Sequence, residues 1–161
     1  MGEEVKKYEF VEEDQINYCG RVLKRVRALI DISAFVKAGD LGGYIESEKN
    51  LSHDNEAWVS DEARVYGKAR VYGEAWVYGE ARVSENYHVM NITNLKYNLT
   101  FTPQNVAGGC RLFTHEEFRD LTLDQCQTNW HLEELENYKA YQKLYLDRTS
   151  SVAESEEDVL I

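Results

Sequence analysis

Between Ala57 and Val83 the apolar positions return every six residues: Ala57-Trp-Val-Ser-Asp-Glu, Ala63-Arg-Val-Tyr-Gly-Lys, Ala69-Arg-Val-Tyr-Gly-Glu, Ala75-Trp-Val-Tyr-Gly-Glu, Ala81-Arg-Val. Within each unit Ala and Val are two apart, so both point to one face of a short strand. Gly67, Gly73 and Gly79 come two residues after their Val, where a chain turning a corner needs a residue free of Cβ strain. The pattern predicts strand, corner, strand. Upstream, residues 21–30 place Val22, Val26, Ala28 and Ile30 on one strand face and Arg21, Arg25 and Arg27 on the other. Downstream, residues 97–102 alternate like a strand, and Pro103 with Gly108-Gly109 marks a loop. Thr114-His-Glu-Glu117 has the form of a capping box opening a short helix through Phe118 and Leu121. A longer helix is predicted near residues 129–148, where Leu132, Leu135, Tyr138, Tyr141, Leu144 and Tyr145 fall at three- and four-residue spacing. The Ser/Glu/Asp-rich segment 149–161 predicts a disordered acidic tail.

The repeat is similar to that of the hexapeptide-repeat left-handed β-helix, and the resemblance implies an eighteen-residue coil of three such edges that would stack like on like, about 4.8 Å apart. It would place Trp58 over Trp76, Arg64 over Arg82 and Arg70 over His88 on the outward face. These residues resemble the hexapeptide-repeat left-handed β-helix family, in which three six-residue edges make one triangular coil. The match is strong over residues 57–83 and extends to 41–95 with degenerate edges; unlike the usual family pattern, Tyr66, Tyr72 and Tyr78 stand directly after the Val, with Gly next. The lead-in, Leu41-Gly-Gly-Tyr-Ile-Glu and Asn50-Leu-Ser, resembles uncharacterised repeat proteins of bacteriophages and prophages. The expected fold class is all-β dominated (α+β). It is a short left-handed parallel β-helix (residues 41–95) with an N-terminal strand cap (1–40) and a C-terminal strand and helices (96–148), all one domain. The family resemblance implies a homotrimer with ligands in the clefts between protomers.

Charge narrows the partners. The chain has 161 residues and a formal net charge of -11, which excludes an overall basic DNA or RNA binder. Residues 1–16 contribute -4 and residues 132–161 contribute -5, so the middle carries only -2. A small anionic ligand therefore stays open to the repeat. Cys19, Cys110 and Cys126 are odd in number and widely spaced, which argues against a disulfide framework and for a reducing, cytoplasmic setting. No signal peptide and no apolar run of membrane-spanning length is present, so neither export nor a membrane partner is expected. The acceptor-like Asn91-Ile-Thr and Asn98-Leu-Thr, and the Met1-Gly2 start with Lys6 in place of Ser or Thr, carry no modification in this reading.

The family resemblance also raises acyl transfer from an acyl carrier such as CoA, with His53 or His88 as general base. Against it, no long loop interrupts residues 57–83 to build a pocket. The chain has no P-loop, GxSxG, HExxH or Rossmann fingerprint, and the Gly pairs 42–43 and 108–109 read as turns. His115, Cys126 and His131 lack the further ligands a metal site needs, so no metal or cofactor is expected. The outward face is richer. Arg64, Arg70 and Arg82 offer planar donors for phosphate, while Trp58, Trp76, Tyr66, Tyr72 and Tyr78 offer stacking surfaces, with His88 at the end and Arg25 or Arg27 as added charge. The expected function is a non-catalytic phage-type binding protein that sequesters a small anionic nucleotide, such as a cyclic-nucleotide immune messenger of the host. The alternatives are the acyltransferase and a structural or protein-inhibiting module, in which the same aromatic and guanidinium groups only join protomers.

Overall fold

The six-residue period writes itself into the backbone. Asn55, Asp61, Gly67, Gly73 and Gly79, each six after the last, all take positive φ, between 56° and 71°. Asn and Asp tolerate this region where glycine is absent, because their short polar side chains bond locally. Between the corners, Ala57, Ala63, Ala69, Ala75 and Ala81 and Val59, Val65, Val71, Val77 and Val83 are all 0–2 % exposed. Burying each valine contributes about 1.5–3 kcal/mol, so this inner row is the spine of the core.

In a computed structural model the described residues are 5–93, 95, 97–108, 111–125 and 132–158. They form β1 (Tyr8–Tyr18), β2 (Arg21–Ala28), β3 (Leu41–Ile45), β4 (Trp58–Val59), β5 (Arg64–Val65), β6 (Trp76–Val77), β7 (Arg82–Val83), β8 (Met90–Ile92), β9 (Leu99–Phe101), β10 (Asn105–Gly108), β11 (Arg111–Thr114), α1 (His115–Arg119) and α2 (Leu132–Asp158). The chain divides into two compact units, Met1–Leu112 and Phe113–Ile161.

In the first unit the largest sheet has the order β1-β2-β3-β5-β7. β1 and β2 form an antiparallel hairpin, and β2 pairs antiparallel with β3. From β3 onward the pairing is parallel, Tyr44 to Arg64 and Arg64 to Arg82. β4 and β6 make a second, two-stranded parallel sheet, Trp58 to Trp76. β8, β9 and β10 are antiparallel neighbours in a third sheet of order β11-β10-β9-β8. These sheets correct the expected fold class. A short left-handed parallel β-helix is not what the chain forms: mixed and antiparallel sheets with two α-helices take its place, and among the described residues parallel pairing is confined to two rungs each of β3–β5, β5–β7 and β4–β6 and one isolated bridge, Leu51 to Val71. The repeat covers too few residues to bury itself; its parallel rungs continue onto β3, which the upstream hairpin joins antiparallel through β2, and downstream β8, β9 and β10 pair antiparallel among themselves.

The eighteen-residue register does hold at Trp58–Trp76 and Arg64–Arg82, with Ser60 N donating to Val77 O at 2.9 Å and Tyr66 N to Val83 O at 3.0 Å. No bridge joins Arg70 to His88 among the described residues. Gly42 and Gly43, expected as a turn, lie buried inside β3. Val22 and Ile30, expected inside, are exposed, while Leu23 on the opposite face is fully buried.

The hairpin closes one end of the core. Tyr8 is buried, its hydroxyl donating to Leu51 O at 2.8 Å and its ring meeting Trp58 edge-on. Lys7 is 1 % exposed, and its Nζ donates to the carbonyls of Ala57 at 2.5 Å and of Asp54 and Asn55 at 3.4 Å. Burial, partly offset by the charge of Asp54, lowers its pKa from the usual 10.5 to about 8. On β1 a bulge between Val11 and Gln15 turns Asp14 toward Arg25. Arg25 Nε donates to Asp14 at 2.6 Å, and its other nitrogens to Tyr44 Oη, Gly42 O and Glu62.

In the second unit Thr114 and Glu117 form the reciprocal cap of α1, with Glu117 N donating to Thr114 Oγ1 at 3.1 Å and Thr114 N to Glu117 at 2.8 Å. Phe118, Leu135, Tyr138 and Tyr145 are buried, whereas Leu144 is exposed. Lys139 Nζ reaches Leu121 O, and Gln142 Nε2 reaches His115 O at 2.7 Å. α2 continues to Asp158, taking in residues for which the composition predicts a disordered tail; Ala, Glu and Asp there can extend a helix already nucleated by its packed first turns. Thr114→Ala should lower the unfolding free energy of this unit by about 1 kcal/mol in a urea titration followed by far-UV circular dichroism.

Candidate functional site

Most of the Arg and aromatic row is consumed by the protein's own segments. Trp58, expected outward, is 1 % exposed, covered by Tyr8 and facing Gly42. Trp76 is half-buried and fixed, with its Nε1 donating to Glu56 O at 2.9 Å and its ring edge-on to Phe35 and Tyr78. The guanidinium groups of Arg64 and Arg82 lie 4.5 and 5.9 Å from the centre of the Tyr18 ring, contributed by β1. Tyr66 meets Tyr18 edge-on at 5.5 Å, and burial, with Tyr18 next, raises its hydroxyl pKa. Arg21 lies over Tyr66 while pairing with Glu46 at 2.8 Å. The Tyr78 hydroxyl donates to Arg111 O at 2.7 Å. Arg25 is committed to Asp14, Tyr44 and Glu62, and Arg27 lies 3.5 Å from Glu9.

The two histidines are held by backbone. His53 Nδ1 accepts from Lys7 N at 3.1 Å, its ring stacks on Tyr8 at 4.1 Å, and its buried Nε2 has no hydrogen-bond partner. His88 Nδ1 accepts from Ser84 N and Glu85 N at 3.2 and 3.3 Å. A neutral imidazole has one acceptor nitrogen, and a general base must aim it at substrate. In both rings that nitrogen faces the main chain.

Arg70 and Tyr72 differ from the rest. Both are exposed, Tyr72 at 68 %, and among the described residues neither side chain has a hydrogen bond, ion pair or ring partner. Both line a groove of about 940 Å³ walled by Glu48, Lys49, Ser52 and Asn55 from the lead-in and by Asn86 and Asn91 beyond the repeat. The parallel bridge Leu51 to Val71 brings these segments together. A planar guanidinium, an unpaired ring and several amides facing one space suit a ligand with an anionic and a flat part. Arg70 and Tyr72 were visible in the six-residue pattern. Lys49, Ser52 and the asparagines were not, because only the pairing of edges twenty residues apart makes them neighbours.

A second hollow, of about 420 Å³, lies on the Trp76 edge and is lined by Phe35, Trp76, Tyr97, Glu56 and Glu74 among others. Among the described residues no group of His, Cys, Asp and Glu could hold a metal ion, and no helix is long and apolar enough to cross a membrane. Cys110, Cys126 and His131 lie outside the described residues. No protein-family model and no curated protein matches the chain, so the hexapeptide-repeat resemblance stands on its residues alone.

Proposed function

We propose that this is a non-catalytic binding protein of bacteriophage type that sequesters a small anionic nucleotide, such as a cyclic-nucleotide immune messenger, in the host bacterial cytosol. The observation that supports it is the pair left over: Arg70 and Tyr72 have no partner within the described protein and face a groove of ligand size. Arg70 would take a phosphate through two parallel N–H donors, with Lys49 as a second cation, while Tyr72 stacks on the base. The amides of Asn55, Asn86 and Asn91 can each donate to and accept from a base edge. Assembly as a homotrimer belongs to the same proposal and is read from the oligomeric mass.

Calorimetric titration with a panel of cyclic di- and trinucleotides tests the reading. Binding of one of them at micromolar protein is expected, with Arg70→Ala weakening it at least about tenfold through loss of a charge-assisted bidentate contact. The thermal midpoint should not move, since Arg70 has no partner among the described residues to lose. Recovery of the nucleotide chemically intact after heating separates sequestration from cleavage. No binding by any member of the panel overturns the proposal.

A further inference from the structure

We infer that the second hollow is a cage for a quaternary or methylated ammonium group. It takes a cation where the groove takes an anion, and its aromatic residues, Phe35, Trp76 and Tyr97, lie outside the groove lining, while Glu74 borders both. Phe35 and Trp76 form two perpendicular aromatic walls, ring centres 6.3 Å apart at 88°, and Tyr97 lines the same space. Glu56 and Glu74 lie at its border, and neither is in an ion pair among the described residues. Aromatic faces carry negative charge density but offer no strong hydrogen-bond acceptor, so they favour a cation that needs none. A methylated ammonium fits that condition, whereas a primary ammonium would give up its water without replacement on those walls.

The walls are set before any ligand arrives. Trp76 is held through its backbone N–H donating to Thr100 Oγ1 at 3.1 Å and its Nε1 to Glu56 O at 2.9 Å. Thr100 Oγ1 in turn reaches Asn91 at 3.1 Å. Glu74 is oriented by Asn98 Nδ2 at 2.6 Å. Phe35 is 69 % exposed, a state that costs apolar hydration, yet its loop is fixed by Ser33 Oγ accepting from Phe35 N at 3.1 Å and Val36 N at 3.2 Å.

Choline is the probe, and the indole N–H resonance of Trp76 in a nitrogen-15 correlation spectrum is the readout. Choline should shift that resonance saturably at millimolar concentration and leave the Trp58 resonance in place, while the uncharged isostere 3,3-dimethylbutan-1-ol should shift it far less. Phe35→Ala and Glu56→Gln should each weaken choline binding about three- to tenfold, as expected for an aromatic face or a nearby charge. Phe35 is exposed and Glu56→Gln keeps its carbonyl contact to Trp76, so both proteins should fold, as an unchanged thermal midpoint would verify. Cyclic-nucleotide binding should survive in both. No shift at about 50 mM choline, equal shifts with the alcohol, or unchanged affinity in both variants overturns the inference.

Discussion

Gly43→Ala is expected to destabilise the first unit by about 3 kcal/mol in urea unfolding, the upper end of what overpacking a core costs. A Cβ on Gly43 would stand 2.7 Å from Ala63 O and from Val59 Cγ1, and 3.2 Å from Ser60 O. Two of those atoms are backbone, and Ala63 O is also pinned as the acceptor of Tyr44 N at 2.9 Å. The obstacle cannot swing aside as a side-chain tip could; β3 would have to separate from β5. Gly73→Ala is the comparison. Its φ is +65° and nothing lies within 4 Å of the added carbon, so only the left-handed backbone is strained, at about 1 kcal/mol. Equal losses for the two variants would refute the close-approach argument.

Stability should rise with pH from about 8 to about 10 and fall beyond it. Lys7 titrates near 8 in the folded protein and at the usual 10.5 when unfolded, so between those values the unfolded chain holds a proton that the folded one lacks. The slope of unfolding free energy with pH is then positive. Over the interval the gain is at most about 3 kcal/mol. Tyr8 and Tyr145 act oppositely. Burial raises both hydroxyls above the usual 10.0, so above that pH the unfolded chain loses protons that the folded one keeps. Urea titrations across this range should show the maximum in the natural protein. Lys7→Met should flatten the rise below pH 10 and cost about 2 kcal/mol at neutral pH, by leaving carbonyls such as that of Ala57 without a donor. A Lys7→Met profile that still rises would assign the effect elsewhere.

The interior of the repeat could be read from the chain because one physical rule governs each position. Alanine and valine two apart must share a face, and glycine two after the valine must turn; burial and φ follow at every unit. The capping box of Thr114 and Glu117 was equally local. What the outward residues touch was not legible, since the answer comes from β1 and β2, dozens of residues earlier. Tyr18 occupies Arg64 and Arg82, Tyr8 covers Trp58, and nothing in the six-residue pattern distinguishes these from Arg70 and Tyr72, which remain exposed. The same flanking strands turned an expected all-parallel coil into a mixed sheet. Phe35 escaped notice for a related reason: an isolated aromatic residue in a loop gains meaning only when Trp76 is found beside it.

Leu51 pairs with Val71 and Trp58 with Trp76, so the chain takes seven residues between the first members of these pairs and five between the second. Two residues have thus been accommodated between Ser52 and Ala57 without shifting either rung out of phase. Everywhere else in the repeat, gaining or losing a single residue would turn each following alanine and valine outward. Within the repeat, that one short stretch is where a change of length leaves the register intact. Because Ser52 and Asn55 line the groove proposed to take a nucleotide, drift in that stretch would alter what the groove accepts while the core that supports it stays constant.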